Sequence, residues 1–471
     1  MKIKLTFLCV IFLSCHASGD KEVLLYLYEP TLSPQQEKVF DQVISQANNG
    51  DLVKATILSQ ELIETLQNEK EQNRKVYGQL MINHGIIRSS ALDYEQGFLS
   101  INEGLGYLEH HRNPFSPLLL RGIMAKAITE LSLDRLENAE DTFRRAQHIW
   151  HRDQGVYDSA QLPVISWITK TNLKRGDVLS ADREQRFSLR VAEQTFGPKS
   201  AEMIPFLNNL GAYFATRGST IPHLMQTNVR LQRDLLFRQS VNLYQRAISI
   251  IEENFGQDDI RLVRPLRGLA NARILQVNNR KYAEAALMRS LAIIDSHPGA
   301  DLTDRTQAMV DLADLYTITV NEKASSLYLE AWQLLQENEQ TQDLAKQMFR
   351  SPQRLFPREA GILYLDRRPD AAEEGEELFV KIEYTVTDQG KVSQVEVLEK
   401  NVPNDQVRLL RYRLRNAKFR PRIEEGEIVA TETLTFYQPY EVLKRTNDST
   451  LNQIDEELVA PESAPKKQMM F

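Results

Sequence analysis

Cysteine is nearly absent: the chain of 471 residues holds two, Cys9 and Cys15, both within the first seventeen positions. Loss of that segment leaves no thiol, which removes disulfides, thiolate metal sites and a cysteine nucleophile from the mature protein. Nor does charge of one sign dominate. The 57 basic and 64 acidic side chains give a formal net charge of −7, and so mild an acidic excess gives no reason to expect nucleic acid as a partner. No apolar run approaches the roughly 20 residues that cross a bilayer as a helix, so no transmembrane helix is expected in the mature chain. G-x-S-x-G, H-E-x-x-H and the phosphate loop are missing as well. His148 and His151 stand three apart on a helical segment, but no matched carboxylate or third ligand accompanies them, so a solvated or packing role is preferred to a metal. His110 and His111 fall at a helix end, where the dipole accounts for them. Trp150, Trp167 and Trp332 are read as core. An enzyme is not expected, and neither a cofactor nor a metal is.

What the chain does have begins with Lys2 and Lys4, an apolar run from Leu5 to Leu13, and small residues at Cys15, Ala17 and Ser18. This is the pattern of a secretory signal peptide, residues 1–17, cleaved after Ala17. An alternative is that Phe12-Leu13-Ser14-Cys15 serves as a lipobox and the protein is lipid-anchored through Cys15.

From Val43 onward, small or slim residues return at a fixed interval. Val43, Gly85, Ala127, Thr169 and Gly211 stand 42 residues apart, and Ala55, Gly97, Ala139 and Ala181 follow the first four of them by twelve. Two small sites twelve apart in amphipathic segments suit a helix hairpin whose helices cross closely. A short extended lead, Glu22 to Pro30, precedes the array. One insertion of 17 residues near Gly218–Asp234, with Pro222, His223 and Met225, interrupts it and is read as a loop rather than a recognition element.

In the clearest unit, Leu118, Ile123, Ala127 and Leu131 share one helix face, and Leu136, Ala139, Phe143 and Ala146 share the next. Ala127, Ala139, Phe143 and Ala146 resemble the tetratricopeptide repeat, with its small, Ala, aromatic, Ala spacing. Tyr244 and Ala247 match it again, as do Ala313, Ala324, Tyr328 and Ala331. The period of 42 is similar to the kinesin light-chain type, and Phe196 to Ser200 and Phe255 to Asp259 look like its inter-repeat turn. The resemblance implies an α-solenoid over residues 34–337, in seven degenerate hairpins. Its stacked pairs would present a groove for a peptide or a protein helix.

After Asn338, a connector with Pro352, Pro357, Pro369 and an acidic run (residues 338–375) is expected to link two domains. The period then becomes two: Val380, Ile382, Tyr384 and Val386 alternate with polar residues. Asp388-Gln389-Gly390 is turn chemistry, and Val392 to Leu398 returns as a second strand. Asn404 is expected to cap a helix bearing Val407, Leu410, Leu414 and Ala417. A closing strand follows, Ile428 to Tyr437, ended by Pro439. This ββαβ module, residues 376–443, resembles the carboxyl-terminal domain of TonB, the periplasmic energy transducer. The resemblance is carried by Asp388 and Gly390 in the turn, by Lys418-Phe419-Arg420-Pro421, and by Gly426, Leu434 and Phe436 at the close.

The fold expected is therefore mainly α, a tetratricopeptide-like solenoid followed by a small α+β domain. The TonB resemblance implies a periplasmic protein whose sheet edge adds a strand from a partner, an outer-membrane transporter among the partners it implies. Val429, Thr431, Thr433, Thr435 and Tyr437 form the candidate edge. Arg408, Arg411 and Arg415, in a basic stripe reaching Arg422, form a candidate rim for an acidic partner, against which a solvated helix face is preferred. TonB has an uncleaved membrane helix and a proline-rich spacer that this chain lacks. The expected role is therefore a protein-binding scaffold of the cell envelope, with an energy transducer or accessory factor for outer-membrane transport as the alternative. The tail, 444–471, is expected to be disordered.

Overall fold

The computed structural model describes residues 22–109, 113–221, 227–276, 280–357, 363–365, 367–369 and 375–442. The expected signal peptide with Cys15, His110 and His111, Pro222, His223 and Met225, and the tail 444–471 lie outside the described residues. The chain divides into two compact units, residues 1–215 with 237–272 and residues 216–236 with 273–471. No helix among the described residues is long and apolar enough to cross a membrane.

Helices follow one another along the array: α1 (Pro34–Asn48), α2 (Leu52–Thr65), α3 (Arg74–Ser90), α4 (Tyr94–Glu109), α5 (Leu120–Ser132), α6 (Leu136–Gln154), α7 (Leu162–Arg175), α8 (Val178–Phe196), α9 (Met203–Thr220), α10 (Thr227–Phe255), α11 (Val263–Leu275), α12 (Arg280–Asp295), α13 (Leu302–Thr319) and α14 (Lys323–Gln336). The insertion falls largely into the end of α9 and the start of the 29-residue α10.

In the first unit, α1 to α8 pair as successive hairpins, and the small residues of both 42-residue series sit where paired helices meet. A Cβ on Gly85 would stand 2.6 Å from the Gly97 carbonyl oxygen, and one on Gly97 2.8 Å from that of Gly85. The same approach recurs one crossing away: Gly78 meets the Gly104 carbonyl at 2.8 Å, and Gly104 meets that of Gly78 at 2.6 Å. Thr169, larger than its counterparts, is accommodated because its hydroxyl donates back to the Ile165 carbonyl at 2.9 Å and receives Gln185 Nε2 at 3.2 Å. Phe143 is fully buried and stacks on Trp167, with ring centroids 5.9 Å apart.

In the second unit, α13 and α14 pair through buried Ala313, Ala324, Tyr328 and Ala331. The stretch expected to be a connector contains a further helix, α15 (Gln342–Phe349), and two strands, β1 (Gln353–Phe356) and β2 (Leu363–Leu365). Beyond it come β3 (Leu378–Val386), β4 (Val392–Lys400), α16 (Asn404–Arg415), β5 (Lys418–Arg420), β6 (Arg422–Glu424), β7 (Glu427–Val429) and β8 (Thr431–Val442). The main sheet runs β2-β8-β3-β4; β3 is antiparallel to both neighbours, and β2 is parallel to β8. Val407, Leu410 and Leu414 of α16, with Ala417 beyond it, close a core over Val380, Ile382, Tyr384 and Val386.

Three local expectations need correction. The closing strand is two strands. Val429 pairs with Arg422 in a hairpin whose two-residue turn puts Glu425 and Gly426 at φ 51° and 86°, and β8 begins at Thr431. Pro439 does not end β8, which runs on to Val442 with Pro439 opposite Phe379. Asn404 is the first helical residue and not the cap; Pro403 holds that position, and the Asn404 Oδ1 accepts from Lys400 Nζ.

Candidate protein-binding surfaces

Along β8, β3 occupies one side from Thr431 to Tyr440, whereas β2 reaches the other side only at residues 440–442. Among the described residues no strand pairs with that other side over 431–439. Thr435 and Tyr437 are exposed there, with Tyr437 45% accessible and stacked on Phe379, ring centroids 5.0 Å apart. Thr433 lies at φ 54°, where the register with β3 slips between Tyr384 and Val386, so it forms a bulge that twists the strand. Val429 belongs to the neighbouring hairpin, and the five expected edge residues are therefore not one strand. The outer side of β4 is the other open edge, blunted by a bulge at Gln394 (φ 49°) and by Glu396, Glu399 and Lys400.

The basic stripe separates into unlike roles. Arg408 and Arg411 line an open groove of about 1030 Å³ between α16 and the β4 edge, together with Phe379, Leu398 and Lys400. Arg411 Nη2 donates to the Val395 carbonyl at 3.3 Å, so it ties the helix to the sheet. Arg415 is exposed and lies beside Gln394 and Thr433. Arg422 pairs with Glu424 at 2.7 Å. Only Arg408 and Arg415 of the expected rim are exposed.

Arg420, from the Lys418-Phe419-Arg420-Pro421 signature, does something that its sequence context does not announce. It grips Asp314 of α13 in a bidentate pair, Nε to Oδ1 at 2.9 Å and Nη2 to Oδ2 at 2.7 Å. Asp314 Oδ1 also accepts from the Tyr328 hydroxyl at 2.8 Å, and Nη1 of Arg420 reaches the Met348 carbonyl at 3.4 Å. Burial pushes the Asp314 carboxyl up, against the pull of Arg420 and Tyr328. Burial also disfavours charge on Arg420, but the facing carboxylate outweighs it and raises the guanidinium above its ordinary range. Beside this pair, β5 lies against β1, and the Phe419 amide donates to the Gly390 carbonyl at 2.9 Å. Gly390 is at φ 67°, and a Cβ there would lie 1.9 Å from the Phe419 carbonyl oxygen, so the expected turn glycine is required twice over. Gly426 in the β6–β7 turn faces the Trp332 ring of α14, which places that tryptophan under the hairpin rather than deep in the core.

The segment expected as a lead, Glu22 to Pro30, is placed against the first unit. A single 3₁₀ turn (Val23–Tyr26) leads into extended backbone at Leu27. Asn83 of α3 receives the Tyr28 amide on Oδ1 at 2.7 Å and donates Nδ2 to the Tyr28 carbonyl at 2.9 Å. The Tyr28 ring is buried; its hydroxyl donates to the Leu118 carbonyl at 2.7 Å and accepts from the Gly122 amide at 3.0 Å. Arg121 of α5 donates to the Leu27 carbonyl, and Lys170 of α7 pairs with Glu22 at 3.0 Å. Burial pushes the Tyr28 hydroxyl up to about 12. The next residue of α3, His84, is buried and meets the Ser59 hydroxyl at 2.8 Å; burial, with Arg88 adding, pushes it down to about 4.

Neither histidine of the 148–151 pair has ligand company. His151 Nε2 is bonded to Gln161 Oε1 at 2.8 Å, and no group of three or more His, Cys, Asp or Glu among the described residues is placed to hold a metal ion.

No family model matches the chain, and no curated protein matches it. Among solved structures it is similar to BtubC (BKLC) from P. vanneervenii, at 15% identity over 53% of this chain and 93% of that one, with a TM-score of 0.38. It is similar also to a putative kinesin light chain of Podospora anserina with nearly identical TPR-like repeats, at 10% identity over 47% and 96%, TM-score 0.36. A third likeness is to the apo form of the quorum sensor NprR from B. thuringiensis, at 10% identity over 68% and 88%, TM-score 0.34. The chain itself is mainly helical and carries, toward its end, a small sheet that is antiparallel except where β2 meets β8.

Proposed function

We propose that this protein is an exported scaffold of the bacterial envelope, resident in the periplasm, that holds protein partners on its helical repeats and on the free side of β8 in a TonB-like module. The observation that carries the reading is the side of β8 over residues 431–437 with which no strand pairs among the described residues, with Thr435 and Tyr437 exposed along it. A free row of backbone donors and acceptors accepts an added strand, and nearby side chains then select its sequence. Exposed Arg408 and Arg415 would meet acidic residues at the rim of that partner and contribute little affinity.

A photo-crosslinking residue placed at 437 tests this in cells. Discrete adducts with an envelope protein are expected from position 437 and none from position 412, which is exposed on α16 and not on β8. Equal labelling from both positions would remove the edge as a binding surface. Deletion of residues 376–443, made together with Asp314→Leu so that no carboxylate is stranded, should leave siderophore and cobalamin uptake intact; loss of uptake with the array still folded by circular dichroism would replace the scaffold by an energy transducer.

A further inference from the structure

Residues 22–28 engage the first unit in the way a bound peptide engages a receptor. At Tyr28 the backbone bonds to no strand or helix backbone; both its amide and its carbonyl are satisfied by the side chain of Asn83. A carboxamide offers one acceptor and two donors in a plane, so it reads the N–H and C=O of a single residue whatever the side chain. Sequence is read beside it. The Tyr28 hydroxyl closes two backbone groups, the Leu118 carbonyl and the Gly122 amide, which a phenylalanine in the same pocket would leave buried and unpaired. At the other end, Lys170 takes the Glu22 carboxylate, with both side chains more than a third exposed, so this pair sets direction rather than strength. Between these ends Leu25 is 70% exposed, and from Leu27 to Ser33 no helix or strand follows before α1.

We propose that the face of α3 and α5 carrying Asn83 and Arg121 is a peptide-binding groove whose resident occupant is the chain's own Glu22–Tyr28 segment. The groove exchanges that segment for an extended peptide of the same chemistry, with a carboxylate six residues before a tyrosine anchor. This rests on the repeat half of the function proposed above and not on the β8 edge. The cis segment keeps the groove closed to weak ligands because its tether gives it a high effective concentration; a competing peptide must carry the tyrosine anchor, and a carboxylate six residues before it fixes its direction.

The test uses the full chain with a protease site inserted between Pro30 and Thr31, cut while folded. A labelled synthetic peptide with the sequence of residues 21–29 is then added. Cut protein is expected to take up the peptide, and uncut protein at the same concentration to take up far less. A peptide carrying Tyr28→Phe should bind more weakly by on the order of tenfold or more, since two buried backbone groups lose their partner. Asn83→Ala should speed release by a similar factor, with helical circular dichroism unchanged. Three results would overturn the proposal: no uptake by the cut protein, loss of helical signal when the segment leaves, or equal binding of the phenylalanine peptide. Any of these makes the segment a fixed part of the core, and crosslinking at position 437 still stands or falls separately.

Discussion

Replacing Arg420 by Met keeps a long apolar stem in place and deletes the charge. Asp314 then retains a single donor, the Tyr328 hydroxyl, at a site where the two side chains of the pair are only 16% and 13% exposed. Leaving one member of a buried pair alone costs roughly 3–5 kcal/mol, and residual exposure puts this case near the lower end, about 3 kcal/mol. For a unit of this size, that lowers Tm by about 6–12 °C. Asp314→Leu together with Arg420→Met removes both charges, and the double variant should return to within about 1 kcal/mol of the parent, because neither group is left to be buried alone. Asp314→Leu alone strands Arg420 at a similar cost, so the singles sum to about 6 kcal/mol against about 1 for the double, a coupling on the order of 5 kcal/mol. Urea denaturation and calorimetry of the four proteins measure it. A cost below about 1 kcal/mol for Arg420→Met, or additivity across the cycle, would refute the reasoning that this pair is desolvated and holds the β5 region to α13.

Within α4, Gly104→Ala should destabilise by about 1–3 kcal/mol because its Cβ would meet the Gly78 backbone at 2.6 Å. Gly106→Ala, with nothing within 4 Å, should stabilise by about 0.5–1 kcal/mol. Urea midpoints compare the two directly. His84 is pushed down to about 4 in the fold. The folded state therefore holds it neutral, while the unfolded chain takes up a proton below about pH 6.5. Its contribution is intact above that pH and is lost as pH falls toward 4, roughly 2–3 kcal/mol by pH 4.5. The loss between pH 7 and 4.5 should shrink by that amount in His84→Gln, measured by urea unfolding at both values. Amino-terminal sequencing of protein recovered from the periplasm should begin at Ser18, and a chain retaining Met1 in the cytoplasm would end the export reading.

The small-residue series were legible because close helix crossings leave a periodic mark, and Gly85 with Gly97 carries it plainly. The second crossing, Gly78 with Gly104, was not, since it falls outside the 42-residue phase. The alternating strand Val380 to Val386, the Gly390 turn and the stripe on α16 were read from period and turn chemistry. Two sites escaped. Asn83 looks like any polar residue on a helix, and its partner Tyr28 is 55 residues away in a segment too short to show a period. Asp314 and Arg420 are 106 residues apart, and a helix aspartate among three others nearby gives no hint that an arginine will reach it. The split at Ala430 was hidden because β7 and β8 together read as one alternating run. Register with β3 or with β6 is decided by the Glu425-Gly426 turn.

The Arg420–Asp314 clasp bears on how such a chain can be assembled from parts. An arginine that is spent on a neighbouring helix cannot be moved without its acceptor. The module grafted onto an array lacking Asp314 would carry a stranded guanidinium, and the array deprived of the module would carry a stranded carboxylate. Shuffling at the junction is thereby penalised in both directions, and the piece of inheritance that travels intact runs from α13 to β8 rather than from the first strand of the sheet.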